Sequence, residues 1–207
     1  MTAFHETPDT SRASDRAAAM QALVPVIETE RLLLRAPGIE DFARFADIMA
    51  SPQGKNWGDP KDRRETWSLF VQITATWYLR GHGAWAICLR EAPARLIGIV
   101  QIGAEPGDDA PELGWLLDAA AEGNGYATEA ARAVRDHARD AMQMVDLVSY
   151  VDAENTRSRA VAERLDAHLF EPHDWAHHDT VCYRHLPPQA KPRTPFATQP
   201  NDKGAAR

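Results

Sequence analysis

Apolar residues recur along the first half of the chain with two spacings, an alternation typical of strands and steps of three or four typical of helices. Leu32 and Leu34 alternate within residues 27–35, which predicts a strand that ends before Pro37. The apolar residues that follow predict a helix that stops at Pro52: Phe42, Phe45, Ile48 and Met49. A second helix is predicted where large rings share one face, with core packing or a ligand-stacking surface as their alternative roles: Trp67, Phe70, Trp77 and Tyr78.

The second half of the chain alternates between strands and helices. Strands are predicted over Ala84–Arg90, Leu96–Gly103, Glu112–Leu117 and Val145–Val151, with the last two near residues 169–171 and 181–185. An alanine-rich helix follows Gly125, and a shorter helix covers Thr156–Leu165. The small alanine side chains permit the first of these helices to lie close to a sheet. The order of elements predicts one mixed α/β domain.

The chain divides into one domain and two ends. No repeat or low-complexity stretch interrupts residues 25–187, which we expect to form the domain. Residues 1–24 are polar and alanine-rich without a firm apolar period, and residues 188–207 are rich in proline and polar groups. We expect both ends to be flexible and to contribute little to the core.

The composition argues against several classes of protein. Of the 207 residues 44% are hydrophobic, yet no run approaches the roughly 20 apolar residues that cross a bilayer. The polar start of the chain does not look like a secretion signal, so we expect a cytoplasmic protein without a membrane partner. The net charge of −7 disfavours nucleic acid as a partner. Cys88 and Cys182 form no CxxC pattern, so no disulfide framework or thiol-rich metal site is expected.

A turn with two glycines precedes the alanine-rich helix. Gly123 and Gly125 lie in the turn after the strand 112–117, directly before the helix, and glycine permits close approach of a ligand to the backbone. The first turn of a helix offers unpaired N–H groups and the positive end of the helix dipole, which suit a pyrophosphate. A purely conformational role for the glycines remains open on this pattern alone.

Three stretches of the chain match one family in order and distance. Within the first stretch, residues 112–130, the chain reads ELGWLLD from Glu112 and GNGYATEA from Gly123, where the family reads approximately E-[IL]-G-Y-W-[IL]-D and G-x-G-Y-A-T-E-A. TERLLLR at 29–35 and DAENTRSRAVAERL at 152–165 agree as well. On these residues the chain resembles the GNAT superfamily of N-acetyltransferases, and its RimJ/RimL-like branch in particular. The matches span nearly the whole domain.

The resemblance implies a GNAT fold of the α/β (α+β) class, a strongly twisted mixed sheet of six to seven strands flanked by about four helices. It also implies acetyl-coenzyme A as donor, no metal, an amine of a protein N-terminus or small molecule as acceptor, and a monomer or homodimer. The pantetheine arm is expected in a gap where the sheet splays, along Trp115, Leu116 and Leu117. The other residues expected to bind the donor are Glu122, Gly123, Asn124, Gly125, Tyr126, Ala127, Thr128 and Asn155.

The chain departs from the family pattern at three places. Glu122 stands where the family has Gln or Arg, and an inward carboxylate would repel phosphate. Asp166 and Ala167 replace Gly-Phe, so we expect the approach to the next strand to be rearranged. Ala162 occupies the position of the Tyr that acts as general acid in many members.

Acetyl transfer to an amine requires a base, because an ammonium group has no free lone pair. Glu112 lies on the strand beside the expected gap and is the candidate, with Trp115 as an apolar neighbour that raises its pKa. A solvated or salt-bridged strand carboxylate is the alternative. A backbone N–H near Leu116 is expected to stabilise the developing negative charge.

Ser158 is the candidate proton donor to the departing thiolate, because Ala162 cannot serve and the resemblance places Ser158 near the thiol. An exposed helix start is the alternative for this segment, with Asn155 or Ser158 as cap. Asn155 is expected to bond the pantetheine or a backbone carbonyl.

Five histidines lie late in the chain, and His173 with His177 has the spacing of a helical metal pair. The neighbouring Pro172 argues for a loop, so no zinc site is expected. We expect this loop to select a cationic acceptor with charged and aromatic side chains: Asp174, Trp175, His177 and Asp179. Trp57 is expected to form the opposite wall or to be buried in the core.

Two functions remain in competition on the sequence alone. The first is an active N-acetyltransferase. The second is a degenerate domain that binds coenzyme A as a sensor or structural ligand, a reading motivated by Glu122, Ala162 and Asp166. Release of free thiol in the presence of amines separates them.

Overall fold

The structure is a computed structural model, and it describes residues 3–57, 62–170 and 179–186. Eight strands form one sheet in the order β1-β2-β3-β4-β5-β6-β8-β7. Their bounds are β1 Ile27–Glu28, β2 Leu32–Arg35, β3 Ala84–Leu89, β4 Ala92–Gly103, β5 Glu112–Leu117, β6 Leu147–Asp152, β7 His168–Phe170 and β8 Thr180–Leu186. The helices are α1 Arg12–Gln21, α2 Phe42–Met49, α3 Arg63–Arg80, α4 Tyr126–Asp140 and α5 Thr156–Arg164. The mixed α/β architecture confirms the predicted fold class, with eight strands where six to seven were expected.

The sheet separates two apolar layers. On one side α4 packs its alanines and Val134 against the sheet around Trp85 and Leu113. On the other side α2 and α3 pack Phe42, Phe45 and Phe70 against β3 and β4. Core packing is therefore confirmed for much of the ring-rich face of α3, although Tyr78 is 81% exposed. No helix in the described part of the chain has both the length and the apolar character to cross a membrane.

The first predicted strand is a hairpin in the structure. β1 and β2 pair antiparallel, with Ile27 opposite Leu34. The chain reverses because the Thr29 N–H donates to the Leu32 carbonyl at 3.0 Å and the Thr29 hydroxyl accepts the Leu32 N–H at 2.9 Å. Alternation of apolar residues cannot reveal such a turn, because the Thr29 side chain makes a hydrogen bond that strand backbones would otherwise make with each other.

The N-terminal segment also contains more structure than expected. α1 begins after Ser11, whose hydroxyl accepts the Ala13 N–H at 3.1 Å and caps the helix. No residue of α1 is buried, which explains why no apolar period announces it. Glu6 is buried and forms two hydrogen bonds with the Arg63 guanidinium, at 2.7 and 2.8 Å.

The turn before β7 retains a glycine-like backbone. Asp166 has a φ of 58°, in the left-handed region, and aspartate tolerates this region better than most residues. β7 follows two residues later and pairs with β8. The replacement of glycine by aspartate therefore needs no rearranged path into the strand, contrary to expectation.

The sheet splays between β5 and β6, as the resemblance implied. β4 and β5 pair from Glu112 to Leu117, whereas the parallel pair β5 and β6 has a single rung, Glu112 opposite Val148. Beyond that rung the two strands diverge and leave a gap in the middle of the sheet.

We predict that trypsin cleaves first in α1, at the exposed Arg12 or Arg16, and leaves a folded domain. Loss of the bond between Glu6 and Arg63 should lower the stability of the domain only slightly, because Arg63 is half exposed. Mass spectrometry of the fragments and thermal melting of the product test this. A Glu6→Gln variant measures the ion pair alone, and loss of cooperative melting after cleavage in α1 would show that the segment is structural.

Candidate active site

Backbone donors of β5 line one edge of the gap. The Asp118 N–H donates to Ile97 of β4 at 2.8 Å, whereas the Pro111 carbonyl accepts the Val148 N–H of β6 at 3.0 Å. Because amides alternate in direction along a strand, the odd-numbered residues of β5 face β6. The N–H groups of Trp115 and Leu117 therefore point into the gap. The Leu116 amide itself faces Ile99 of β4, so the backbone N–H expected near Leu116 in the gap is that of Trp115 or Leu117.

The turn before α4 presents a helix start without a side-chain cap. Gly123 and Gly125 have φ angles of 78° and 80°, which favour glycine. Gly125 is the N-cap and supplies no side chain, so the N–H groups of Tyr126, Ala127 and Thr128 remain available. Asn124 turns its amide back onto the Glu122 carbonyl at 3.1 Å. This arrangement fits the pyrophosphate of coenzyme A.

The opening hairpin fixes the position of this helix start. The Glu129 carboxylate accepts from the Thr29 hydroxyl at 2.6 Å and from the Arg31 backbone and side chain at 3.0 and 2.7 Å. Arg31 also donates to the Asn124 carbonyl at 2.9 Å and lies over the Tyr126 ring. Two of the three matching stretches are therefore in direct contact.

Glu122 does not leave an unpaired negative charge beside the turn. Its carboxylate accepts a hydrogen bond of 2.6 Å from Arg157, the second residue of α5. Arg157 is 78% exposed, so the pair is solvated and places a cation beside this turn. The repulsion expected from Glu122 is thereby offset.

Glu112 lies at the apex of the gap on the α2 and α3 side of the sheet. Burial raises the pKa of its carboxyl group to about 7, and Asp108 and Glu105 add to this effect, whereas a hydrogen bond from the Tyr150 N–H opposes it. Trp115 is three positions further along β5, so it projects to the opposite face and packs on the α4 side. The expectation that Trp115 raises the pKa of Glu112 is wrong.

Trp57 packs on the α2 and α3 side of β5, the face that carries Glu112. Its ring lies over Gly114, where an added Cβ would come within 3.3 Å of it, and it also packs against the α2 and α3 layer. Tyr150 of β6 lies on this side as well, packed near Cys182 and Phe170. Burial raises the pKa of the Tyr150 phenol to about 12. Tyr150 was not among the predicted site residues, because no local pattern indicates which strand borders the gap.

The short helix α5 follows β6, the strand on the other side of the gap. The Asn155 side-chain oxygen accepts the Ser158 N–H at 3.1 Å, so Asn155 is the N-cap of α5. Ser158 is half-buried in the first turn. Ala162 is fully buried against Val151 and Tyr183, where a larger phenol would not fit without displacing the core.

The late histidine loop lies largely outside the described residues. This applies to Asp174, Trp175 and His177, whereas Asp179 is described and exposed immediately before β8. Within residues 3–57, 62–170 and 179–186, no three potential ligands are grouped so as to hold a metal ion.

Comparisons with known proteins agree with this geometry. The family described as "Acetyltransferase (GNAT) domain" matches residues 31–168. An acetyltransferase from Agrobacterium tumefaciens is 41% identical, with a TM-score of 0.73, over 78% of this chain and 94% of that one. A Salmonella typhimurium acetyltransferase that modifies the N-terminal serine of ribosomal protein L7/L12 is 18% identical, with a TM-score of 0.66, over 78% and 99%. The microcin C7 self-immunity acetyltransferase MccE, solved with acetyl-CoA and AMP, is 15% identical, with a TM-score of 0.60, over 76% and 93%.

The chain belongs to the GNAT acetyltransferase family. It is an acyltransferase that uses acetyl-coenzyme A as donor, and its fold is shared with members of the RimJ/RimL-like branch.

We predict that Gly125→Val weakens binding of acetyl-coenzyme A at least tenfold. A branched side chain disfavours the φ of 80° that this position requires, so the N–H groups at the start of α4 are displaced. Calorimetric titration measures the dissociation constant. Gly81→Val is the matched control, since Gly81 has a φ of 72° in open space at the end of α3. Equal dissociation constants for both variants and the wild-type protein would refute the site.

Proposed function

We propose that the enzyme acetylates a primary amine that enters from the α2 and α3 side of the gap. The observation that carries this proposal is the Glu112 carboxyl group at the apex, with a pKa near neutrality and acidic neighbours on the loop between β4 and β5. Negative groups attract a cationic acceptor, and a carboxylate with this pKa can take its proton near pH 7.

The donor is proposed to bind from the opposite end of the gap. Acetyl-coenzyme A supplies the thioester whose acetyl group is transferred. The N–H groups between Gly123 and Thr128 would hold its pyrophosphate, with Arg157 alongside, and the amides of Trp115 and Leu117 would pair with its pantetheine arm. Asn155, the N-cap of α5, would orient the first turn of that helix beside the arm rather than do chemistry.

Ser158 remains the proposed proton donor to the departing thiolate. Its backbone N–H is already paired with Asn155, so its hydroxyl is the group that the first turn of α5 can direct toward the gap. The alternative is that proton transfer runs through water or through the substrate itself.

The acceptor side is proposed to use aromatic walls. Trp57 over Gly114 on β5 and Tyr150 on β6 flank the apex at which Glu112 lies. Ring faces attract an ammonium group, so these side chains would orient it toward Glu112. Asp174 and Trp175 remain predicted contacts of the acceptor on the same wall.

Two classes of acceptor remain, a protein N-terminus and a small-molecule amine. The Salmonella protein acts on a protein N-terminus, and its similarity of fold supports the first class without selecting it. We further propose a cytoplasmic monomer or homodimer that does not bind nucleic acid, supported by the buried free thiols of Cys88 and Cys182 and the net charge of −7.

The test is release of free thiol from acetyl-coenzyme A with a panel of peptides with free N-termini, polyamines, amino acids and aminoglycosides. Turnover with at least one amine, and none without amine, supports the proposal. Binding without turnover across the whole panel would favour a coenzyme A sensor.

With the best acceptor, we predict that kcat/KM of the wild-type enzyme rises with pH through about 7, as the Glu112 carboxyl group loses its proton and becomes a base. Glu112→Gln should lower turnover at least a hundredfold and abolish the rise of kcat/KM near pH 7. The affinity for acetyl-coenzyme A should stay nearly unchanged.

Ser158→Ala is the comparison variant for the same series. This variant should lower turnover without removing the rise of kcat/KM near pH 7, because the Ser158 hydroxyl is proposed to protonate the leaving thiolate. Wild-type turnover in both variants at every pH would overturn both assignments.

A further inference from the structure

The single rung between β5 and β6 ends at a defined bond. The Val148 N–H donates to the Pro111 carbonyl at 3.0 Å, and Glu112 pairs with Val148. In a parallel ladder the next bond from β6 would run from the Tyr150 N–H to the Leu113 carbonyl. That bond would extend the sheet and close part of the gap.

Both partners of this missing bond are taken by side chains. The Leu113 carbonyl accepts a hydrogen bond from the Ser149 hydroxyl, which approaches from the α4 side. The Tyr150 N–H donates to the Glu112 carboxylate, which lies on the α2 and α3 side. The backbone groups are therefore satisfied without the strands joining.

A buried histidine holds the serine in this position. His185 Nε2 lies 2.8 Å from the Ser149 oxygen, and the two residues are 8% and 1% exposed. The hydroxyl has one proton and gives it to Leu113, so the proton of the second bond belongs to His185 Nε2. His185 Nδ1 is then a bare acceptor, buried without a hydrogen-bond partner among the described residues.

We propose that Ser149, held by His185, keeps the sheet open at the apex of the gap by occupying the Leu113 carbonyl, and thereby reserves the Tyr150 N–H for the Glu112 carboxylate. Ser149 and His185 are then positioning residues for the donor gap and for Glu112, an inference that rests on the proposed function of that site.

Burial and the neighbouring charges determine whether His185 or Glu112 titrates near neutrality. Burial and the charge of Arg135 lower the pKa of His185 to about 4, so its ring stays neutral above that pH. Glu112 faces Asp108 and Glu105 on the loop before β5 and also the groups of Tyr150 and Cys182. A pH effect near 7 in Ser149 variants therefore reports on Glu112.

In Ser149→Ala, the Leu113 carbonyl would be buried without a donor, so the Tyr150 N–H should move to it and leave Glu112. Glu112 then loses a bond that favours its charged form, and its pKa should rise by about 0.5 to 1 unit. The gap should narrow, with roughly tenfold weaker binding of acetyl-coenzyme A. Ser149→Thr, which keeps the hydroxyl, should restore both values.

The test combines carbon-13 NMR titration of the Glu112 carboxyl group with calorimetry, in the full chain. His185→Gln retains an N–H near the Nε2 position and should behave like the wild-type protein, whereas His185→Leu should resemble Ser149→Ala. Thr66→Val is the control, because it removes another buried hydroxyl that donates to a carbonyl, that of Asp62, in the first turn of α3. It should change neither the Glu112 pKa nor the donor affinity.

An unchanged Glu112 pKa in folded Ser149→Ala, or equal shifts in Thr66→Val, would overturn the inference. Should Ser149→Ala fail to fold, the same titration is made on His185→Gln and His185→Leu. Equal Glu112 pKa values in these two variants would overturn the inference. The NMR shift does not depend on catalysis. A shifted pKa without any change in the pH dependence of turnover would support the inference and contradict the role of Glu112 as base.

Discussion

The site depends on one constraint, that two adjacent parallel strands share a rung at Glu112 and Val148 and then separate. Separation exposes backbone donors of β5 that a closed sheet would consume, and buried amides without partners are costly. A ligand that supplies carbonyl groups can satisfy them, which is what the amides of a pantetheine arm offer. The same divergence places Glu112 at the apex, where the proposed donor and acceptor would approach it from different sides.

Charge at the apex acts on function and on stability in opposite directions. The pKa of Glu112 is raised from its ordinary value to about 7, so the folded protein binds a proton that the unfolded chain has released between about pH 4.5 and 7. Folding stability therefore falls as pH rises through that window, because the folded protein must hold the ionised carboxylate in a buried position. The pair of Glu122 and Arg157 works differently, since it is exposed and contributes little to stability while placing a cation beside the turn.

Local patterns predicted the elements whose signal is local. The strand 112–117 and the helix after the two glycines follow from residues close together in the chain, and the capped start of α5 was one of the two alternatives for Asn155 and Ser158. The hairpin at Thr29 was missed because a hydroxyl replaces a ladder bond there, and α1 was missed because none of its residues is buried. The roles of Tyr150 and His185 depend on contacts made over long sequence distances, which periodicity does not encode.

The most direct test of the donor gap is amide hydrogen exchange along β5, measured by NMR with and without acetyl-coenzyme A. We predict that exchange of the Trp115 and Leu117 amides slows when the ligand binds, because these N–H groups gain partners. The Leu116 amide, already directed to Ile99 of β4, should change little. Saturating ligand that leaves Trp115 and Leu117 unprotected would contradict the placement of the donor in this gap.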